Sequence, residues 1–118
     1  MADLSVSLCG INLKNPVIGA SGTVGFGREF DEIYDISVLG GLSTKGLTLE
    51  PRPGNAVPRI AESRGVILNA VGLQNPGVES FIEHDFAWLQ GKGIAVIANV
   101  AGSTLEDYEK ICARLDGL

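Results

Sequence analysis

Two cysteines, one histidine and one tryptophan in 118 residues leave little material for several kinds of chemistry. Cys9 and Cys112 stand far apart and outside any metal-ligand spacing, which favours two buried free thiols over a disulfide or a zinc site. The one histidine, His84, lies between Glu83 and Asp85 in a helical pattern and reads as exposed. Basic charge is scarce too: nine Lys and Arg against fourteen Asp and Glu give a formal charge of -5. With the positive residues scattered, a nucleic-acid backbone is excluded as a partner. No apolar run is long enough to cross a bilayer, and "MADLSVSLCG" has neither a basic n-region nor a long apolar h-region. The expectation is a cytoplasmic protein with no membrane segment. A P-loop, a Gly-x-Gly-x-x-Gly turn after a strand and a nucleophile elbow are all missing.

What is present is apolar and rich in glycine. Hydrophobic residues make up 45%, charged residues 19%, and there are 16 glycines. That is the composition of one globular unit spanning 1–118, with many tight turns or backbone segments that approach a ligand closely. Two periodicities alternate along it. "LSVSLCGINL" (4–13) predicts a hairpin turning at Cys9-Gly10, and "NPVIGASG" (15–22) predicts a short buried strand. "REFDEIYD" predicts a helix with Phe30, Ile33 and Tyr34 on one face. A second buried strand is expected in "ISVLGGLSTKG" (36–46). The segment from Leu47 to Leu73 is too long for an ordinary loop, and its "AVPRIAES" and "GVILNAVGL" pair as a hairpin insertion.

Asn75 and Pro76 read as the N-cap and first residue of a helix whose apolar stripe is Val78, Phe81, Ile82, Phe86 and Leu89, ended by the glycines at 91 and 93. "GIAVIANV" (93–100) is the third strand. "STLEDYEKICARL" is an amphipathic helix with a capping box from Ser103 to Glu106 and a buried stripe of Leu105, Tyr108, Cys112 and Leu115. Three successive βα units predict an α/β fold with a parallel sheet.

Ligands of such folds bind at the carboxyl ends of the strands. There the chain places "ASGT" (20–23), "STKG" (43–46), "LNAVGLQN" (68–75) and "ANVAG" (98–102). Each has an ordinary structural explanation when taken alone. Ala20, Ser21 and Gly22 suit a tight turn, Lys45 can snorkel to solvent, and Asn69 and Asn75 suit turns or caps. Asn99 is harder to dismiss, since an amide expected to be buried in an apolar strand must find partners, whether in a structural network or on a ligand.

Together, "NPVIGASGTVGFGREF", "LGGLSTKGLTLEPRPGN", "LNAVGLQNPGVESFI" and "IANVAGS" resemble the amino-terminal part of dihydroorotate dehydrogenase, over essentially the whole chain and in the family's order and spacing. The similarity is greatest to the class 1B catalytic subunit. The resemblance implies a partial (β/α)8 TIM barrel: the first three βα units, an N-terminal hairpin before them and a hairpin insertion after the second strand. It implies FMN as cofactor and oxidation of dihydroorotate to orotate in pyrimidine biosynthesis. NAD would be the final acceptor, reached through an iron–sulfur flavoprotein partner subunit carrying FAD, and the full-length form would be a homodimer.

By the same resemblance Ala20, Ser21, Gly22, Lys45, Gly46 and Asn99 bind the flavin, while Lys45, Asn69, Ala70, Val71, Gly72 and Leu73 bind the substrate. Lys45 would lie by the flavin's pyrimidine edge, where an ammonium stabilises the negative charge that grows as a hydride arrives. The family's catalytic base, a cysteine in class 1 members, is expected beyond residue 118 and is not Cys112. With three of eight βα units, the isolated chain is expected to be inactive. Two alternatives stand beside this reading: a lyase or aldolase barrel using Lys45 as a Schiff-base amine, and a non-enzymatic truncated barrel that self-associates through open sheet edges.

Overall fold

A computed structural model describes residues 2–118. The chain opens with a hairpin of β1 (Val6–Leu8) and β2 (Ile11–Leu13), paired antiparallel from Val6↔Leu13 to Leu8↔Ile11. Its two turn residues both have positive φ, 50° at Cys9 and 84° at Gly10, matching the handedness that a two-residue hairpin needs. Then come β3 (Ile18–Gly19), the short helices α1 (Ser21–Val24) and α2 (Arg28–Asp31), a 3-10 turn at Ile36–Val38 and β4 (Gly41–Leu47). A second hairpin, β5 (Ile60–Ser63) and β6 (Val66–Asn69), has all eight residues exposed. The following helix runs as α3 (Val78–Ser80), a π-helical stretch Phe81–Phe86 and α4 (Ala87–Gly91), and the chain closes with β7 (Ala95–Val100) and α5 (Leu105–Leu115).

The fold is mixed α/β. Strands β3, β4 and β7 form an open parallel sheet in that order, with β4 central. Each crossover returns the chain to the same end of the sheet, so the strands run parallel. The core gathers Val24, Ile36, Leu42, Leu47, Phe81, Leu89 and Ile94, with Phe26, Phe30, Phe86 and Trp88 packed around it. Each fully buried Leu, Ile or Phe contributes about 1.5–3 kcal/mol relative to exposure.

Two elements carry one residue more than a regular element would. In β4, Ser43 pairs with Ile97 but Gly46 pairs with Asn99, so three steps on β4 oppose two on β7. This bulge brings Leu42 and Leu47, five residues apart, into the same core, although side chains at an odd spacing fall on opposite faces of a regular strand. The π-helical stretch does the same for Phe81 and Phe86, also five apart, whose ring centroids lie 6.1 Å from each other.

Several expectations need correction. Helix α2 ends at Asp31, and Ile33 is 81% exposed, because Ile36 takes the buried place and its N–H donates to the Asp31 carboxylate (3.2 Å). The second strand starts at Gly41, after the 3-10 turn. Asn75 is not the N-cap. Gly77 holds that position, while Asn75 is buried and braces the preceding loop.

On α5 the capping box is Thr104 with Asp107, one residue beyond the Ser103–Glu106 pair. The predicted stripe is also rotated: Ile111 is fully buried and Leu115 packs on the core, whereas Leu105 is 77% exposed and Tyr108 and Cys112 are exposed. Both cysteines are free, as expected, but exposed, Cys9 because it forms a hairpin turn and Cys112 because it faces away from Ile111's side of the helix. Asn99, expected to be buried, is exposed, because β7 is an outer strand of the sheet.

Candidate functional site

The carboxyl rim of the parallel sheet collects most of the candidate residues. Ala20 directly follows β3 and occupies the N-cap of α1, its carbonyl accepting from Thr23 N (3.0 Å) and Val24 N (2.9 Å). A methyl group there forgoes the side-chain cap that Ser, Thr or Asp would supply, a sacrifice of about 0.5–2 kcal/mol that leaves the rim small and flat. Ser21 and Gly22 form the first turn of α1. A Cβ on Gly22 would meet nothing within 4 Å, so this corner opens to free space.

Lys45 is partly buried near the carboxyl end of β4. It lines a cleft of about 510 Å³ with Phe26, Glu29, Arg52, Gln74, Asn75 and Pro76. Two cations and one carboxylate make this cleft locally positive in a chain whose net charge is -5. Among the described residues the ion pairs are Arg28–Asp85, Lys92–Asp31, Lys110–Glu106 and Arg114–Glu79, so Lys45 keeps its charge for the cleft. Its neighbour Gly46 opposes Asn99 across the sheet. A Cβ on Gly46 would lie 2.8 Å from Leu73 Cδ1, 3.4 Å from Ala101 Cβ and 3.8 Å from Asn99 Nδ2, so glycine is what lets these three residues close over the strand.

The loop 70–74 is held from both sides. Asn55 donates its N–H to Val71 O (3.0 Å) and its Nδ2 to Ala70 O (2.9 Å), while Ala70 N donates to Arg59 O (2.9 Å). The Arg59 guanidinium spans the loops, donating to Asn55 O (2.6 Å), Gln74 Oε1 (2.5 Å) and Pro53 O (2.9 Å). Gly72 has φ 78°, and a Cβ there would lie 2.7 Å from the Asn55 backbone N, so no larger residue fits. Leu73 follows with φ 55°, an uncommon conformation for its type that the surrounding bonds sustain.

Buried Asn75 closes the loop. Its Oδ1 accepts from Thr48 N (3.1 Å) and Gly77 N (3.0 Å), and its Nδ2 donates to Leu73 O (2.9 Å) and Thr48 Oγ1 (3.0 Å). The main chains of Arg52 and Asn75 also bond reciprocally.

The structure thus joins Gly46, Leu73 and Asn99, and sets Lys45 beside the base of the same loop. Ala20, Ser21 and Gly22 stand at the end of the neighbouring strand, since Gly19 pairs with Leu42 and leaves Ala20 short of Lys45 along the rim. Asn69 is set apart: it ends β6, pairs with Ile60 in the exposed hairpin and is itself exposed. Arg52 and Arg59 were not singled out as site residues by the sequence, while Gln74 and Asn75 lay in the rim stretch 68–75 and Asn75 was read as a cap. "EPRPGN" beside a lysine-bearing strand was the available signal for Arg52, but nothing local marked Arg59.

The amino end of α5 borders a smaller cleft of about 260 Å³ lined by Thr48, Glu50, Arg52, Gly102, Ser103 and Asp107. Three N–H groups there are engaged within the cap: Ser103 N (2.8 Å) and Thr104 N (3.0 Å) donate to the Asp107 carboxylate, and Asp107 N donates to Thr104 Oγ1 (3.2 Å). The two bonds from Ser103 N and Thr104 N hold the Asp107 carboxyl below the ordinary carboxylate range. No group of three or more His, Cys, Asp or Glu side chains among the described residues is arranged to hold a metal, and no described helix is long and apolar enough to cross a membrane.

A family model described as dihydroorotate dehydrogenase matches residues 3–118. The chain is 48% identical over 116 residues to the catalytic subunit of dihydroorotate dehydrogenase B (NAD(+)) from Citrifermentans bemidjiense, covering 98% of this chain and 38% of that protein. The subunit of the same name from Bacillus pumilus is 51% identical over 112 residues, covering 95% and 36%, and that from Petrotoga mobilis is 54% identical over 108 residues, covering 92% and 36%. The chain spans somewhat over a third of the length of these curated relatives. With its whole described fold inside the matched region, it belongs to the dihydroorotate dehydrogenase family.

Proposed function

We propose that residues 1–118 form the amino-terminal part of an FMN-dependent dihydroorotate dehydrogenase, the first three βα units of a single (β/α)8 barrel domain. One observation carries the reading: at a single rim of a parallel sheet, a cation-bearing cleft around Lys45 adjoins the contact of Gly46, Leu73 and Asn99. These residues fit a flat, electron-accepting ring. Gly22 opens to space, Gly46 adds no side chain, Asn99 offers both a donor and an acceptor, and Lys45 with Arg52 outweighs Glu29. Ala20, Ser21, Gly22, Lys45, Gly46 and Asn99 would hold the cofactor, and Asn69, Ala70, Val71, Gly72 and Leu73, together with Lys45, the substrate.

When bound, FMN supplies the two-electron acceptor for the hydride that leaves dihydroorotate as orotate forms. The chain's own residues supply position and charge. Lys45 places a fixed ammonium at the rim, which stabilises negative charge without reorganising solvent. The braced loop 70–74 offers backbone N–H groups at a fixed height above the sheet, where they would take the substrate's carboxylate. None of these groups is the base that removes the substrate proton. That cysteine is expected on a later segment, and exposed Cys112 on α5 is not a candidate. The family match favours this redox reading of Lys45 over a Schiff-base role.

The relatives' names, which specify NAD(+) and a catalytic subunit, support a partner subunit in electron transfer. We place an iron–sulfur flavoprotein with FAD in that role, passing electrons to NAD, and a homodimer of catalytic subunits in a cytoplasmic full-length enzyme. The test uses the full-length protein that carries this segment. Lys45→Ala should retain FMN and its circular dichroism while flavin reduction by dihydroorotate slows about 100-fold or more. Reduction at the wild-type rate would remove the role assigned to Lys45, and the 118-residue chain assayed alone should show no turnover.

A further inference from the structure

We propose that Thr44 is a positioning residue whose hydroxyl holds the β4 bulge and thereby directs Lys45 into the cleft rather than toward the core. The inference rests on the reading of Lys45 as the cation of the flavin site. Its starting point is an odd spacing. Leu42 and Leu47 are both fully buried in one hydrophobic cluster. In a regular strand Lys45 lies on the face opposite Leu42 and on the same face as Leu47, so a ladder that buries Leu47 would drive Lys45 toward that cluster. An ammonium there would be desolvated without a partner. The extra residue between Ser43 and Gly46 separates the two demands: Leu47 reaches the core while Lys45 lines the cleft with Arg52 and Gln74.

A bulge interrupts the regular pairing of a strand and leaves backbone groups to be satisfied by other means. Here one hydroxyl serves both sides. Asn99 N donates to Thr44 Oγ1 (3.1 Å), and Thr44 Oγ1 donates to Lys45 O (2.9 Å). Thr44 is fully buried, so water does not replace it. The carbonyl it holds belongs to Lys45 itself, and the amide it accepts from belongs to Asn99, so the same hydroxyl fixes two proposed flavin contacts relative to each other. Serine keeps these bonds. Valine keeps the shape and loses both.

The test compares wild type, Thr44→Val and Thr44→Ser in the full-length, FMN-loaded protein, reading amide hydrogen exchange at Asn99, the Lys45 Cε chemical shift by NMR, and flavin reduction. In wild type the Asn99 amide should exchange slowly even though its residue is exposed; fast exchange there overturns the proposal whether or not any variant folds. Thr44→Val should raise that exchange about tenfold or more, move the Lys45 side-chain resonance and slow flavin reduction about tenfold, with Thr44→Ser restoring all three. A purely structural role would lower the unfolding midpoint and leave the Lys45 resonance in place, which also overturns it. Wild type that takes up no FMN refutes the functional reading. Flavin-loaded Thr44→Val reduced at the wild-type rate refutes only the role of Thr44.

Discussion

Replacing Asn75 by alanine strikes the point where three loop segments are tied together. The variant loses four hydrogen bonds at once: those from Thr48 N and Gly77 N into Oδ1, and those from Nδ2 to Leu73 O and Thr48 Oγ1. Asn75 is 6% exposed, and Thr48 and Gly77 are buried with it. Two backbone N–H groups are then stranded, and each costs about 1–3 kcal/mol when left unpaired away from water. The adjoining cleft admits water to one side of Asn75, which offsets part of this, so the net loss should be about 2–4 kcal/mol. Against a total stability of about 5–15 kcal/mol, that is a large fraction.

Urea denaturation of the full-length protein measures the loss, with the midpoint falling and the slope unchanged. Asn75→Asp is the informative companion. It still accepts from Thr48 N and Gly77 N but turns a carboxylate oxygen toward the Leu73 carbonyl, so it should keep part of the stability and lose the fixed height of the loop. A loss below about 0.5 kcal/mol in Asn75→Ala would refute the reasoning, since that is the range of surface substitutions.

Acid should weaken the Asp31–Lys92 contact only below the ordinary carboxylate range. The Lys92 ammonium, donating to Asp31 Oδ2 at 2.5 Å, is the main cause of an Asp31 carboxyl held below its ordinary 3.8; burial opposes it and the Ile36 N–H adds to it. A folded value below the unfolded one stabilises the protein fully above about pH 4, and that contribution is lost as pH falls through the folded value. Asp31→Asn should therefore flatten the stability profile below about pH 4, as seen in denaturation midpoints. On α5, Ile111→Ala should cost about 2–5 kcal/mol in the same denaturation assay, whereas Cys112→Ser should change stability by less than about 0.5 kcal/mol. Iodoacetamide should label both Cys9 and Cys112 in the native protein, and resistance to labelling would contradict their exposure.

Periodicity and turn chemistry carried much of the architecture: the Cys9–Gly10 hairpin, the β5–β6 insertion and the Val78–Leu89 stripe were all legible. The register of α5 was not, because its helix carries two candidate apolar lines, and only the surface it packs against selects Ile111 over Cys112. Its cap was ambiguous for a related reason. "STLED" contains two overlapping capping patterns, and the shorter Asp107 side chain, at the third position after Thr104, completes the box. In the site, Lys45 taken alone had an ordinary snorkelling explanation, and only the combination of motifs set it apart. The bulge that aims it was hidden, since one added residue leaves composition unchanged and shows only as Leu42 and Leu47 sharing a core. Arg52 and Gln74 reach the cleft along loop paths set by Asn55, Arg59 and Asn75, partners that sequence spacing does not connect.

The paired irregularities of β4 and of the helix after Gly77 set how far this segment tolerates changes in length. Deleting one residue from Thr44–Lys45 would regularise the ladder, inverting which way every earlier or later side chain of the strand points. Removing one from Phe81–Phe86 would restore an ordinary helical turn and rotate the downstream half by about 100°. Insertions and deletions therefore belong in the exposed tip of the β5–β6 hairpin around Arg64 and Gly65, whereas these two segments count residues strictly.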